Sequence, residues 1–339
     1  MFTFGMAATL FMAGMELNFK HIRGMPLFLA PRGWGLSLLL GGALSALLYA
    51  TPLARSPLML TLALSTTALG TLLRDGQQLD TPFGRLFVAA GTVGEVGPIV
   101  AMSLLLSQEY STWQEVGFLL LFLGLVLATA AAGMGLRPAP VVALLTRTLH
   151  ASTQLPVRLA LFLMAGYFVL TEEFSFESIL GAFAAGMVVG LATQDKAAKP
   201  LRQKIDAVCF GWFIPFFCVG AGVKFHLNAF TYDLTTLLLV PLFLAALLLV
   251  RGAPAWFYGS HLARRERLPF ALYSSVASLS LVVVITDIGM RTHSISPHIA
   301  SALVGAALLS VLLFPTHAAA LRPHASASDG AEPLAVEAD

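Results

Sequence analysis

The hydrophobic positions of this chain form long runs separated by short polar loops. The runs are ~17 to 25 residues long, which is the length an α-helix needs to cross ~30 Å of hydrocarbon. The alternating pattern of a membrane β-barrel is absent. The pattern therefore predicts an all-α polytopic membrane protein with about eleven transmembrane helices, near residues 2–17, 34–54, 57–73, 85–106, 115–136, 157–171, 176–193, 206–223, 235–257, 268–289 and 295–320.

The basic residues give an independent test of these spans, because cytoplasmic loops carry an excess of Lys and Arg. Loops one, three, five, seven and nine, together with Arg322, hold nearly all of the 20 Lys and Arg residues. The opposite side has only Arg55, Lys224 and Arg291, and Arg251 falls inside a span. We therefore expect a multi-pass protein of the cell inner membrane with its N-terminus outside and its C-terminus in the cytoplasm.

The sequence favours one membrane domain, residues 1–322, followed by a short tail, residues 323–339. The tail is polar and rich in Ala, a composition that predicts a disordered cytoplasmic segment. Loops between the spans, such as the Pro-Arg-Gly loop at 31–33, are short. No linker is long enough to separate two soluble domains.

Composition agrees with this class and excludes others. The chain has 57% hydrophobic and 11% charged residues and a mean hydropathy of +0.82, whereas a soluble domain has ~25% charged residues. A net charge of +2 gives no reason to expect a nucleic-acid partner. The HExxH, Walker and Gly-x-Ser-x-Gly motifs are absent, which argues against an enzyme of those classes, and we expect no cofactor.

Two weak internal similarities indicate an inverted repeat. The segment around Gly14 resembles the one around Gly220, and the segment around Thr67 resembles the one around Ser278. The separations along the chain are similar, and the members of each pair are seven predicted spans apart, which is an odd number. The two copies would therefore cross the membrane in opposite directions, as in many transporters.

Two ionisable residues lie inside predicted spans, where such groups are functional candidates by default. Glu95 lies midway along the fourth span in a Gly-rich stretch that ends at Pro98, and this proline leaves the carbonyl of Gly94 without its helical amide partner. A buried carboxylate can hold a proton or a cation; the alternative role is a hydrogen bond that packs helices. Arg251, in the ninth span, is a candidate counter-ion to a carboxylate; the alternative is a side chain that snorkels to the cytoplasmic face.

Hydroxyl clusters mark two places where helices are candidates for unwinding and crossing. The first contains Thr66 and Thr67, and the second contains Ser275, Ser278 and Ser280. Broken helices expose carbonyls and helix ends that can bind a small cation. Ordinary hydrogen bonding between helices is the alternative reading of either cluster alone.

The ordered motifs of the chain resemble the cation:proton antiporters of the Kef and NapA type, often described as sodium/hydrogen exchanger-like. FMAGMEL at 11–17 is similar to that family's FLAGLEL helix, and LSTT at 64–67 is similar to its first crossing helix. Three further segments match in the same order: GAFAAG at 181–186, FIPFFCVG at 213–220 and ALVGAALLS at 302–310. The resemblance therefore extends along almost the whole chain.

This resemblance implies an inverted-repeat antiporter fold with two crossing discontinuous helices, and exchange of a monovalent cation, sodium or potassium, for protons. It also implies a dimerisation domain packed against a mobile core, hence a homodimer in the lipid bilayer if the family's first two helices are present. The ion-binding position falls on Glu95, with Thr66 and Thr67 nearby, and the basic partner falls at or near Arg251. Members commonly carry a pair of polar or acidic residues where this chain has Gly94 and Glu95, so we expect electroneutral exchange.

Family members have about two further helices before the FLAGLEL helix, so the resemblance implies that this chain lacks the first two. Two other functions stay open at this stage. One is a sodium-coupled solute symporter on a related fold. The other is a non-transporting membrane sensor or scaffold, which the missing helices would favour.

Overall fold

The computed structural model describes residues 2–17, 25–49, 56–68, 81–106, 112–135, 148, 153–174, 176–193, 199–224, 234–258 and 262–321. These residues are helical apart from short turns and breaks. In chain order the helices are α1 Phe2–Glu16, α2 Met25–Tyr49, α3 Pro57–Leu64, α4 Pro82–Leu106, α5 Thr112–Gly135, α6 Leu155–Glu173, α7 Ser178–Ala192, α8 Lys199–Val208, α9 Ile214–Lys224, α10 Leu234–Gly252, α11 Pro254–Phe257, α12 Arg264–Ser274, α13 Leu279–Arg291 and α14 Pro297–Leu321. A π-helical turn, Cys209–Phe213, joins α8 to α9.

The all-α membrane architecture is confirmed, and each of the eleven predicted spans overlaps a described helix. By length and composition, five described helices can cross a membrane, or six if the bent pair α12–α13 is one span. The number eleven stays a prediction. The predicted loop at 31–33 is wrong, because α2 begins at Met25 and contains Pro31. The predicted tail, residues 323–339, lies outside the described residues.

Two helices stop abruptly inside predicted spans. The third span was expected to run from 57 to 73, but α3 ends at Leu64, and non-helical backbone follows to Ala68. The tenth span is divided into α12 and α13, which are bent by 44°. Hydroxyl side chains explain why both helices end here, since Ser and Thr compete with the backbone for its hydrogen bonds.

The helices form two bundles. The crossing bundle contains both breaks and consists of α2, α3, α4 and α10 to α14; the flanking bundle consists of α1 and α5 to α9. Aromatic side chains fill the crossing bundle between α4 and α12, where Phe83 meets Phe270 edge to face at 5.5 Å and Phe87 meets Tyr273 at 6.2 Å. The bundles touch where α1 meets α13 and where α4 meets α7.

Glycines hold the flanking bundle together at its closest helix pair. Gly186 of α7 lies against the backbone carbonyl of Phe11 in α1, and Gly14 of α1 lies against the carbonyl of Phe183 in α7. A side chain at either glycine would separate the helices. Small residues allow this backbone approach in membrane proteins. The FMAGMEL and GAFAAG motifs therefore pack against each other.

Contacts between helix ends agree with the alternation of the loops. Near loops one and seven, Arg202 donates a hydrogen bond over 2.6 Å to the carbonyl of Met15. Near loops eight and ten, Thr236 hydrogen-bonds His298 over 3.0 Å. Odd-numbered loops thus meet odd-numbered loops, and even meet even, as expected if they lie on opposite faces of a membrane.

Candidate functional site

The two helix breaks have nearly the same geometry. Ser65 ends α3 with φ −88° and ψ −2°, and Ser275 ends α12 with φ −85° and ψ −4°. Both hydroxyls bond back to carbonyls of their own helices, Ser65 to Leu62 over 2.9 Å and Ser275 to Ala271 over 2.6 Å. This equivalence is what an inverted repeat predicts for two copies of one crossing element.

The two breaks are bonded directly to each other. The Ala68 amide donates to the Val276 carbonyl over 2.8 Å. The Thr67 hydroxyl donates to the Ser274 carbonyl over 3.1 Å, and Ser274 donates in turn to the Arg251 carbonyl over 2.9 Å. Backbone that has left helical geometry is thus held inside the bundle with its polar groups paired, as burial requires.

In each repeat, a further helix later in the chain supplies an acceptor for the broken backbone: α4 for the first break and α14 for the second. The Thr67 amide donates over 3.2 Å to the Gly94 carbonyl of α4, which is the acceptor that Pro98 leaves without a helical donor. In the second repeat, the Ala277 amide donates over 3.1 Å to the Ser310 hydroxyl of α14. The broken backbone of each repeat therefore donates an amide to a helix of its own repeat. The acceptor is a backbone carbonyl in α4 and a serine hydroxyl in α14.

Glu95 lies immediately beside this junction. A Cβ atom added to Gly94 would lie 2.9 Å from the Thr67 hydroxyl and 2.6 Å from Nη2 of Arg251, so α4 reaches the crossing only because residue 94 is glycine. Glu95 is the next residue and is 5% exposed. A carboxylate is thereby buried one residue from the place where α4 meets the broken helices.

Arg251 lies inside the crossing bundle and is 3% exposed. Its Nη1 donates over 3.3 Å to the Ser37 hydroxyl of α2, and its Nη2 over 3.5 Å to the Ala90 carbonyl of α4. This burial does not fit the alternative in which the side chain snorkels to water. The guanidinium lies beside the segment that carries Glu95; its role as counter-ion stays a prediction.

The other predicted residues, Thr66, Ser278 and Ser280, also lie at the two breaks, but among the described residues their hydroxyls make no bond from one break to the other. The Thr66 hydroxyl bonds to the Ala63 carbonyl of its own helix over 3.0 Å. Ser278 is the buried residue before α13, and its side chain makes no capping bond. Ser280 lies in the first turn of α13 and is partly buried. Thr67 is thus the predicted hydroxyl that joins the two breaks.

Sequence reasoning did not select Ser37 or Asp287. Ser37 contacts Arg251, but a lone Ser in an apolar span carries no signal. Asp287 is 6% exposed and forms an ion pair with Arg291 one turn later in α13. Its spacing of four residues from Arg291 is the signal that could have indicated this pair.

Two broken helices that meet in a bundle, with a buried carboxylate beside them, are typical of inverted-repeat secondary transporters. The chain belongs to the family described as "Sodium/hydrogen exchanger, transmembrane", whose model matches residues 1–321. The resemblance to sodium/hydrogen exchangers is confirmed, and this is a family of transporters rather than of enzymes. The Kef and NapA subtype and the two missing helices stay predictions.

Named relatives share part of their length with this chain. It is 25% identical over 261 residues to "Putative Na(+)/H(+) antiporter YjbQ" of Bacillus subtilis, covering 76% of this chain and 41% of that protein. It is 25% identical over 177 residues to "Na(+)/H(+) antiporter" of Enterococcus hirae, covering 52% of this chain and 45% of the relative. The chain therefore spans less than half of the length of either relative.

The fold has a solved counterpart. The sodium proton antiporter MjNhaP1 from Methanocaldococcus jannaschii matches with a TM-score of 0.62 and 16% sequence identity, covering 94% of this chain and 84% of that one. This match establishes the antiporter fold for the described helices. At this identity it carries no information on individual site residues.

Proposed function

We propose that this protein exchanges a monovalent cation, sodium or potassium, for protons across a membrane, and that both bind at Glu95. The observation that supports this best is the position of a buried carboxylate directly after Gly94. The Gly94 carbonyl accepts the Thr67 amide, and the missing side chain lets the broken backbone approach α4. Membership of the exchanger family and the names of the relatives point to the same activity.

Competition for one carboxylate couples the two fluxes. Glu95 holds either a proton or a cation, and each displaces the other. The C-terminal ends of α3 and α12 meet near this site, and the partial negative charge of helix C-termini favours a cation. Movement of the crossing bundle against the flanking bundle would change the side to which the site opens. Thr66, Thr67, Ser275, Ser278 and Ser280 are the proposed oxygen-bearing residues of the two breaks.

Exchange in proteoliposomes tests this proposal. Adding sodium or potassium outside should alkalinise the lumen, because the entry of each cation is coupled to the exit of a proton. Glu95→Gln should abolish coupled exchange while the protein still folds. Glu173→Gln, which changes an exposed carboxylate at the end of α6, is the matched control and should exchange like the wild type.

The same assay separates the rival functions. Full exchange by Glu95→Gln would disprove the assignment of the site. Sodium-driven solute uptake without a linked proton flux would favour a symporter. Absence of ion flux in wild-type protein of native fold would favour a sensor or scaffold.

We propose that the exchange is electroneutral, with one proton per cation. Position 94 cannot carry a second carboxylate without displacing the guanidinium of Arg251, which lies 2.6 Å from the place of a Cβ atom. Net charge transfer would respond to voltage by ~2.3 kcal/mol per elementary charge per 100 mV. A membrane potential alone should therefore drive no steady exchange, and a potential-driven pH change would contradict this stoichiometry.

We propose an inner-membrane location with the N-terminus outside and the C-terminus in the cytoplasm, because the basic loops gather on one face. Glu173→Cys and Ala263→Cys are exposed positions at opposite faces under this arrangement. In a background without Cys209 and Cys218, a membrane-impermeant maleimide added to whole cells should label position 173 only. The opposite labelling would reverse the orientation.

We also propose a homodimer formed by the flanking bundle. Its helix α9 and the preceding turn expose large apolar side chains, among them Trp212, Val219 and Val223. Detergent-solubilised protein should therefore have the mass of two chains. A monomer at all protein concentrations that still exchanges ions would contradict the dimer.

A further inference from the structure

Thr92 of α4 has a buried hydroxyl that makes no hydrogen bond to any described residue. The residue is 6% exposed. Several other buried hydroxyls in the described helices bond to a carbonyl one turn earlier, among them Thr286 to Val282 over 2.8 Å and Ser103 to Ile99 over 3.0 Å. That local bond is available to any helical Thr. Thr92 does not make it, although an unsatisfied buried hydroxyl costs free energy.

The position of Thr92 connects this hydroxyl to Glu95. The two residues are three apart in α4, so their side chains project from neighbouring positions one turn apart, ~60° around the helix axis. Gly94, where a Cβ atom would lie 2.6 Å from Nη2 of Arg251, is ~100° around the helix axis from Glu95 but ~160° from Thr92. Thr92 therefore lies on the side of Glu95 that is farther from the fixed positive charge. A cation between the hydroxyl and the carboxylate would be repelled less by Arg251 than a cation beside Gly94.

The chemistry of the pair suits an alkali cation. Hard cations prefer oxygen ligands, and a hydroxyl oxygen offers two lone pairs without adding charge. A neutral ligand beside a single carboxylate lets the cation lose hydration water while the site keeps one negative charge. We propose that the Thr92 hydroxyl is a ligand of the transported cation, together with the Glu95 carboxylate. This inference rests on the proposed function and adds a residue to its site.

Transport kinetics in proteoliposomes test the role of Thr92. Thr92→Val keeps the shape of the side chain and removes the oxygen, so the cation concentration for half-maximal exchange should rise about tenfold, with a maximal rate within about twofold of the wild type. Thr92→Ser keeps the oxygen and should behave like the wild type. Ser103→Ala is the control, because it removes a buried hydroxyl of the same helix whose bond is local.

Cation binding in detergent gives a second readout that needs no transport. A ligand that binds the folded state raises the unfolding temperature. Sodium should therefore stabilise the wild type and Thr92→Ser, whereas Thr92→Val should lose most of this stabilisation and keep its sodium-free unfolding temperature. A purely structural role would change the sodium-free value instead. If Thr92→Val does not accumulate, Thr92→Ala replaces it with the same expected results.

The outcomes separate this inference from the proposed function. If the wild type exchanges cations for protons, Glu95→Gln does not, and Thr92→Val has unchanged cation affinity, then Thr92 is not a ligand and its hydroxyl binds water only. If the wild type shows no exchange, or Glu95→Gln is active, the proposed function itself fails.

Discussion

Gly94 is the residue at which the features of the site meet. Its carbonyl accepts the amide of Thr67, and its missing side chain leaves room for the Thr67 hydroxyl and the guanidinium of Arg251. The bond to the Thr67 amide depends on Pro98, which leaves the Gly94 carbonyl without a helical donor. The close approach of the Thr67 hydroxyl and the guanidinium depends on the absence of a Cβ atom at residue 94. A single small residue thus allows a positive charge, a broken helix and α4 to approach one another beside Glu95.

Replacing Gly94 by Ala should damage this arrangement. The new methyl group would lie 2.6 Å from Nη2 of Arg251 and 2.9 Å from the Thr67 hydroxyl. Overpacking of this kind costs ~1–3 kcal/mol, so the unfolding temperature in detergent and the exchange rate should both fall. Gly117→Ala in α5 is the control, because nothing lies within 4 Å of a Cβ atom there. Equal stability and exchange for both variants would show that the close approach has no importance.

At the scale of elements, the proline in α4 and the break after α3 act as a pair. Pro98 removes an amide from α4, and Thr67 supplies the replacement from non-helical backbone. The broken segment therefore has a defined partner rather than a loose loop. In the second repeat, the acceptor for the broken backbone is the hydroxyl of Ser310 in α14. Because this acceptor is a side chain, α14 needs no proline to free a backbone carbonyl there.

Pro98→Ala should weaken the link between α4 and the first break. The new amide would donate to the Gly94 carbonyl from within the helix and compete with the Thr67 amide. A lost hydrogen bond is worth ~1 kcal/mol, so the Thr67 amide should exchange with solvent roughly fivefold faster. Hydrogen exchange followed by mass spectrometry measures this rate. Pro315→Ala in α14 changes a helix proline elsewhere, and the Thr67 amide should then exchange as in the wild type.

At the scale of the whole molecule, charged groups from both bundles meet at one end. Glu177 precedes α7 in the flanking bundle, while Asp287 and Arg291 belong to α13 of the crossing bundle. Burial raises the pKa of Glu177; the Arg291 charge opposes this shift, and the charges of Asp287 and Glu172 add to it. The state of this carboxyl therefore affects how the two bundles attract each other.

The raised pKa makes Glu177 a source of pH-dependent stability. A carboxyl whose pKa is higher in the folded state stabilises the fold below its ordinary pKa, and this contribution is lost as the pH rises through the folded value. Glu177→Gln should therefore raise the unfolding temperature at pH 8 and change it little near pH 4. Glu173→Gln, at an exposed position, is the control and should have little effect at either pH. Destabilisation by Glu177→Gln at pH 8 would show that attraction to Arg291 outweighs burial.

Much of the helical architecture was predictable because lipid imposes a simple rule. Every backbone polar group must be satisfied within the bilayer, so apolar runs of sufficient length become helices. The rule fails at helix starts near the surface, which is why α2 was predicted nine residues too late. It also cannot show where a span breaks, although the hydroxyl clusters indicated both places.

The sequence by itself determined the membrane class, the alternation of the loops, the family and the ionisable residues inside apolar spans. These properties follow from local composition and from the cost of charge in hydrocarbon. Tertiary structure alone decided which groups meet: Thr67 with Gly94 and Ser274, Arg251 with Ser37, and Glu177 with α13. Such pairs join residues far apart in the chain, and their partners are fixed by the packing of helices rather than by spacing along any one of them.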